Sequence, residues 1–164
     1  MDRLTSLKTY MEQHKLVLAT AESCSTGLIA SALADVPGAG KCLDRAFVTY
    51  AVDAKIDLLG VKQETIDAHN LTSEPVAREM ALGALKNSKA NVAISNTGVV
   101  DDSDPDIPAG TQCFGWAFSD EEGHSQCYTE CRRFDGDRRS IREDSAQYAL
   151  SRLSSYHARF MSSQ

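Results

Sequence analysis

The chain has 164 residues, of which 42% are hydrophobic and 24% charged, and its formal net charge at neutral pH is −6. That length fits one domain of ordinary globular composition. No run approaches the ~18 apolar residues a helical membrane span needs, and the negative charge argues against coating a nucleic acid.

In chain order, Leu4, Leu7, Tyr10 and Met11 recur at helical spacing and predict a helix over 4–14. Residues 15–20 form a short β-run. The small polar stretch Ala21 to Thr26 follows, and either Ser25 or Thr26 is suited to cap a helix from Leu28. A loop at 37–40 precedes a second strand around Phe47-Val-Thr-Tyr50. Asp53 is suited to cap a short helix that ends at Gly60, and Gln63–His69 predicts another. Ser73, Glu74 and Pro75 open a stronger helix with the stripe Ala77, Met80, Ala81, Ala84 and Leu85. Asn91–Ser95 is a third strand, 98–110 a long loop, and 111–118 with 125–134 a hairpin. One helix runs from Gly136 onward, with the end after Phe160 frayed. Strands separated by helices, then a hairpin, predict an α/β domain over 1–164: a three-layer α/β/α sandwich around a mixed, mostly parallel sheet.

Ligands of open α/β sheets sit beyond the carboxyl ends of the strands, and three loops fall there. The first, Ala21–Gly27, combines backbone N–H groups with the hydroxyls of Ser23, Ser25 and Thr26, without the lysine of a P-loop. In the second, Tyr50 and Lys55 stand near a serine, which reads either as a surface lysine on a short helix or as the ingredients of a serine nucleophile with an amine base. The third, 97–110, holds the acidic run Asp101-Asp-Ser-Asp-Pro-Asp106, which lacks the EF-hand pattern and reads as a solvated loop or a divalent-ion site. Arg132, Arg133, Arg138, Arg139 and Arg142 form a local basic cluster, read either as ion pairs with Glu143 and Asp144 or as a seat for a small anion such as phosphate. The five cysteines are odd in number and lack zinc spacing, so buried or half-buried free thiols are expected, with Cys127 and Cys131 on one face. The four histidines show no metal-ligand spacing.

Together these segments resemble the CinA C-terminal domain family, the nicotinamide-nucleotide amidohydrolases. The motifs are Ala21-Glu-Ser-Cys-Ser-Thr-Gly-Leu-Ile-Ala30, Val36-Pro-Gly38, Phe47-Val-Thr-Tyr50, Lys55 with Leu58-Leu-Gly-Val61, Ala77-Arg-Glu-Met-Ala81, Ser95 with Thr97-Gly98, Pro108 with Gly110-Thr111, and Phe134-Asp-Gly-Asp-Arg138 with Ile141-Arg142. The resemblance implies deamidation of nicotinamide mononucleotide to nicotinic acid mononucleotide, with Ser23 attacking and Tyr50 and Lys55 handling protons. It implies that Cys24, Ser25, Thr26, Gly27, Thr97, Gly98 and Arg138 hold a small phosphorylated nucleotide. It further implies a cytoplasmic homo-oligomer with no cofactor, no metal, and neither nucleic acid nor membrane as partner.

The sequence departs from that family at ligand-facing positions. The first loop usually reads Glu-Ser-Cys-Thr-Gly-Gly, and here Ser25 and Thr26 stand in it. Thr26 is β-branched and is strained wherever the backbone needs φ > 0. Ala51 and Val52 replace Ser-Asn, Asn70 replaces a glycine, and Val99, Val100, Asp101 and Asp102 follow Thr97-Gly98 in place of Ile-Ala-Gly-Pro. Each aspartate within ~6–8 Å of a phosphate weakens binding by roughly 1–3 kcal/mol. The expected function is therefore a CinA-family relative with deamidase activity lost or altered. The alternative is a working nicotinamide mononucleotide deamidase with Ser23 as nucleophile.

Overall fold

The computed structural model describes residues 2–164. The apolar runs become β1 (Leu18–Glu22), β2 (Leu43–Val48), β3 (Val92–Gly98), β4 (Thr111–Ser119) and β5 (Ser125–Arg133). They form one sheet in the order β2-β1-β3-β4-β5. β1 pairs in parallel with β2 and β3, and β4 pairs antiparallel with β3 and β5. Only β4 therefore runs against the others.

The helices are α1 (Arg3–Gln13), α2 (Leu28–Ala34), α3 (Val52–Leu59), α4 (Gln63–His69), α5 (Glu74–Lys86), α6 (Arg138–Ser151) and α7 (Leu153–Ser162). One face of the sheet buries Leu18, Val92, Ile94, Phe114, Trp116 and Phe118 against α1, α2, α6 and α7. The other presents Ala19, Ala21, Ala93 and Ala117 to α5, with Leu59 and Val61 at its border. The expected three-layer α/β/α architecture is the observed one.

Small residues set the second layer's spacing. Ser73 caps α5 by accepting from the Val76 N–H at 3.3 Å, as its Ser-Glu-Pro opening predicts. The alanine stripe then lies close enough to the sheet for the buried Ser95 hydroxyl to donate to the Ala77 carbonyl at 2.6 Å. A Cβ on Gly83 would sit 2.0 Å from the Leu59 carbonyl oxygen, so the end of α3 abuts α5 backbone to backbone.

Several sequence expectations need correction. The single terminal helix divides at Arg152 into α6 and α7. α7 stays helical through Ser162 because Tyr156 and Phe160 are buried, stacked on Trp116 and Phe118. The second strand ends at Val48, which leaves Tyr50 outside it. Ala51 rather than Asp53 is the N-cap of α3. Neither Ser25 nor Thr26 caps α2: its N-cap is Gly27, in the left-handed region at φ 96°.

The five cysteines are not all free. The β4–β5 register sets Cys113 opposite Cys131, and the two form a disulfide, while Cys24, Cys42 and Cys127 remain free and buried. Cys127 and Cys131 do share a strand face, but the pairing depends on a register that linear spacing does not reveal.

Gly83→Ala should lower stability in urea unfolding by about 1–3 kcal/mol through overpacking, despite the ~1 kcal/mol that alanine gains over glycine in a helix.

Candidate active site

β1 lies between β2 and β3, so the chain leaves its carboxyl end toward β2 and later returns on the opposite side at β3. This is the switch point where open α/β sheets form a ligand crevice. A cleft of about 500 Å³ opens there, lined by Ser23, Cys24, Tyr50, Lys55, Asn70 and Thr72 together with 97–101 and Arg138.

The last residue of β1 fixes the loop. Glu22 is fully buried, and its carboxylate accepts hydrogen bonds from the Thr20 and Ser25 hydroxyls at 2.9 and 2.7 Å. It also accepts from the N–H groups of Gly27, Ile29 and Ala30 at 3.0, 3.0 and 3.1 Å. Those amides belong to the first turn of α2, so a carboxylate from the strand satisfies donors that a capping side chain normally takes. Opposite it on β3, Asn96 accepts from the Ser25 N–H at 2.9 Å and donates to Gln112 at 2.8 Å. Gln112 in turn donates to the Val99 carbonyl at 3.1 Å and to Cys24 Sγ at 3.5 Å.

The loop so held turns Ser23 toward the cleft. Lys55, on the second turn of α3, places Nζ 3.0 Å from Ser23 Oγ and donates to the carbonyls of Thr49 and Tyr50 at 2.8 and 2.9 Å. Burial pushes the Lys55 amine down to about 8. A neutral amine keeps two hydrogens, and two carbonyls receive them, which leaves the lone pair facing Ser23. The neighbouring Cys24 thiol is pushed up by burial, which leaves it a poor nucleophile.

The other predicted residues divide. Cys24, Thr97, Gly98 and Arg138 line the cleft. Gly98 is required by Gln112, whose amide would lie 2.2 Å from a Cβ there. Ser25 is fully buried and turned to Glu22, away from the cleft. Thr26 and Gly27 lie off the lining, with Thr26 at φ 43°, the strained conformation its sequence foretold. The Tyr50 ring is 66% exposed, and it is the Tyr50 carbonyl that meets Lys55.

Arg138 pairs with Asp101 at 2.6 Å, and Asn70 donates to Asp104 at 2.9 Å. Hydrogen bonds from Ser103, together with Arg138, hold Asp101 below the usual carboxylate range, and the bond from Asn70 does the same for Asp104. Both are charged at neutral pH. Asp102 does not reach the lining. Among the described residues, Asp120, Glu122 and His124 could approach a common ion. They sit at the β4–β5 turn, at the end of β4 away from the cleft, where Asp120 accepts the Glu122 and His124 amides and closes the turn.

The sequence reading quoted Glu22 without a role and missed Asn96, Gln112 and the Arg142 contact with the loop. For Glu22 a signal existed: a lone acid between an apolar β-run and an apolar helix, in a stretch otherwise small and uncharged.

This is an α/β domain with a serine–lysine pair at the switch point of its sheet. The sequence profile of the CinA C-terminal domain matches residues 3–157. The chain belongs to that family. It is 40% identical to nicotinamide-nucleotide amidohydrolase PncC of Escherichia coli K12 over 136 residues, 82% of this chain and 80% of that protein. It is 39% identical to a CinA-like protein of Chlorobium limicola over 142 residues, 85% of this chain but 33% of the relative. The chain thus spans about a third of the length of such relatives, including those of Symbiobacterium thermophilum and Akkermansia muciniphila. Among solved structures, a CinA-superfamily protein of Klebsiella pneumoniae 700603 superposes with a TM-score of 0.86 at 30% identity, covering 97% of this chain and 99% of that one.

Glu22→Gln presents an NH2 group to a site built of donors. It should lower stability by about 2–4 kcal/mol in thermal or urea unfolding, far more than an exposed Glu→Gln change.

Proposed function

We propose that the protein is a carboxamide hydrolase of the pyridine-nucleotide type, in which Ser23 is the nucleophile and Lys55 the base. The observation that carries this reading is the buried Lys55 amine held 3.0 Å from Ser23 Oγ at the wall of an open cleft. The Escherichia coli relative, a nicotinamide-nucleotide amidohydrolase, supplies the substrate class.

Ser23 Oγ bonds to the carboxamide carbon as its proton passes to Lys55 Nζ. The N–H groups of Ser23, Ser25, Thr26 and Gly27 are already engaged, which leaves that of Cys24 to face the developing oxyanion. Collapse breaks the C–N bond, and Lys55 returns the proton to the departing nitrogen as ammonia. Water, deprotonated by the same amine, then hydrolyses the acyl-serine to the free acid and restores Ser23. Tyr50 stands at the mouth of the cleft and contacts substrate rather than the proton. The place of action we propose is the cytoplasm, with the chain working as a homo-oligomer. The exposed Val48, Tyr50 and Leu58 beside the edge strand β2 are suited to a second copy.

A second reading, loss of the reaction, draws on Ala51 and Val52, where the family carries Ser and Asn, and on the strained Thr26. The two readings part at one assay, ammonia release from nicotinamide mononucleotide and nicotinamide riboside. For the hydrolase reading, Ser23→Ala and Lys55→Met each reduce release by at least ~10³-fold while the melting profile keeps its cooperativity. Turnover unchanged in Ser23→Ala rules out the proposed nucleophile, and no release from either compound favours loss.

The pH dependence has a definite sign. The base acts only when neutral, so kcat/KM should climb tenfold per pH unit below about 8 and level off above it. A profile flat from pH 6 to 9 would remove Lys55 from the role.

A further inference from the structure

The arginines available to a phosphate at this end of the fold are each engaged. Arg142 donates to the Cys24 carbonyl at 2.9 Å and to the Thr26 hydroxyl. Arg139 pairs with Glu143 at 2.8 Å, Arg133 donates to the Ala109 carbonyl at 2.9 Å, and Arg132 lies over the Tyr148 ring at 4.6 Å. Of the cluster only Arg138 lines the cleft, and Asp101 holds it at 2.6 Å. The other lining cation, Lys55, is turned to Ser23 and two carbonyls.

The acidic loop is tethered at two points. Asp101 is tied to Arg138, and Asp104 to the Asn70 amide at 2.9 Å. Asn70 keeps φ 80° and ψ 156°, a region almost confined to glycine. Its carboxamide also accepts from the Thr72 N–H at 3.0 Å, so the side chain that makes the backbone costly is the one that anchors the loop. The loop therefore sets two carboxylates on the cleft wall and leaves no lining cation unpaired.

We propose that this cleft selects the cationic pyridinium carboxamide of an unphosphorylated nucleoside over the corresponding nucleotide, with Asp101 and Asp104 as the discriminating residues. The proposal rests on the hydrolase reading for where the carboxamide lies and concerns the opposite end of the same substrate. A pyridinium nucleoside carries a single positive charge, and a 5′-phosphate turns its net charge negative. The two carboxylates attract the first and repel the second. A phosphate reaching Arg138 must also displace a tethered carboxylate rather than enter a vacant site.

The test uses the intact protein, with nicotinamide riboside and nicotinamide mononucleotide as probes, reading affinity by calorimetry and kcat/KM by ammonia release. Native protein should bind the riboside at least about tenfold more tightly. Asp101→Asn combined with Asp104→Asn should shift the ratio toward the nucleotide by at least about tenfold, with exposed Asp101→Asn alone giving part of the shift. Arg138→Ala should weaken nucleotide binding further in the native background, because it leaves Asp101 uncompensated, and should abolish the gain in the double variant. A native protein that binds the nucleotide as tightly as the riboside, binds neither, or keeps its ratio in the double variant overturns the proposal. Riboside binding without ammonia release defeats the hydrolase reading and leaves this one standing. Preferred hydrolysis of the nucleotide does the reverse.

Discussion

A single buried carboxylate organises the cleft end of this protein. Glu22 is removed from water at the tip of β1, and two hydroxyls and three backbone amides surround it. An isolated buried charge is unfavourable by several kcal/mol, so the fold tolerates Glu22 only while those donors converge on it. The requirement works in both directions. The carboxylate fixes the path of 23–27, and the start of α2 supplies the amides that satisfy its oxygens. Glycine at 27 is needed because the chain turns there at φ 96° to bring its amide onto Glu22.

The serine–lysine pair inherits its precision from that arrangement. Ser23 comes from the tip of β1, while Lys55 rises from α3 and is pinned to carbonyls just beyond β2. Parallel pairing of β1 with β2 holds the two supports in register, and the Thr49 N–H extends the ladder to the Glu22 carbonyl at 2.8 Å. Distance and lysine protonation then have one origin. The burial that brings Nζ within reach of Ser23 also lowers the amine to about 8, so far more of it is neutral near pH 7 than for an exposed lysine.

What the sequence made legible is what local physics decides. α4 was read with its observed bounds, α5 with its Ser73 cap and buried stripe, and the alternation of strands and helices gave the layered architecture. The loops that carry Ser23 and Lys55 were legible as strand-to-helix turns, but that the two side chains meet, and that Lys55 is buried rather than a surface lysine, depends on the pairing of β1 with β2. Interactions joining distant parts of the chain were not. Cys113 meets Cys131 through an antiparallel register, Asn96 and Gln112 reach the first loop from β3 and β4, and Arg142 crosses from α6 to Thr26. Composition near Ser25 and Thr26 suggested a hydroxyl cap, and it gave way because Glu22 brings two carboxylate oxygens to the same amides.

Three of the departures from the family pattern find a partner in space. Thr26 occupies a left-handed backbone position, and its hydroxyl meets Arg142. Asn70 occupies a glycine-like position, and its amide meets Asp104. Asp101 adds a carboxylate to the cleft, and Arg138 meets it. Random decay of an unused site would leave strained backbone and stray charge without partners, each unfavourable by about 1–3 kcal/mol with nothing to offset it. Here each unfavourable residue is joined to another by a hydrogen bond or ion pair, and none of these pairings touches Ser23 Oγ or Lys55 Nζ. Ala51 and Val52, by contrast, open the helix that carries Lys55 with apolar side chains that take no hydrogen bond, so the compensation covers strain and stray charge rather than every altered position.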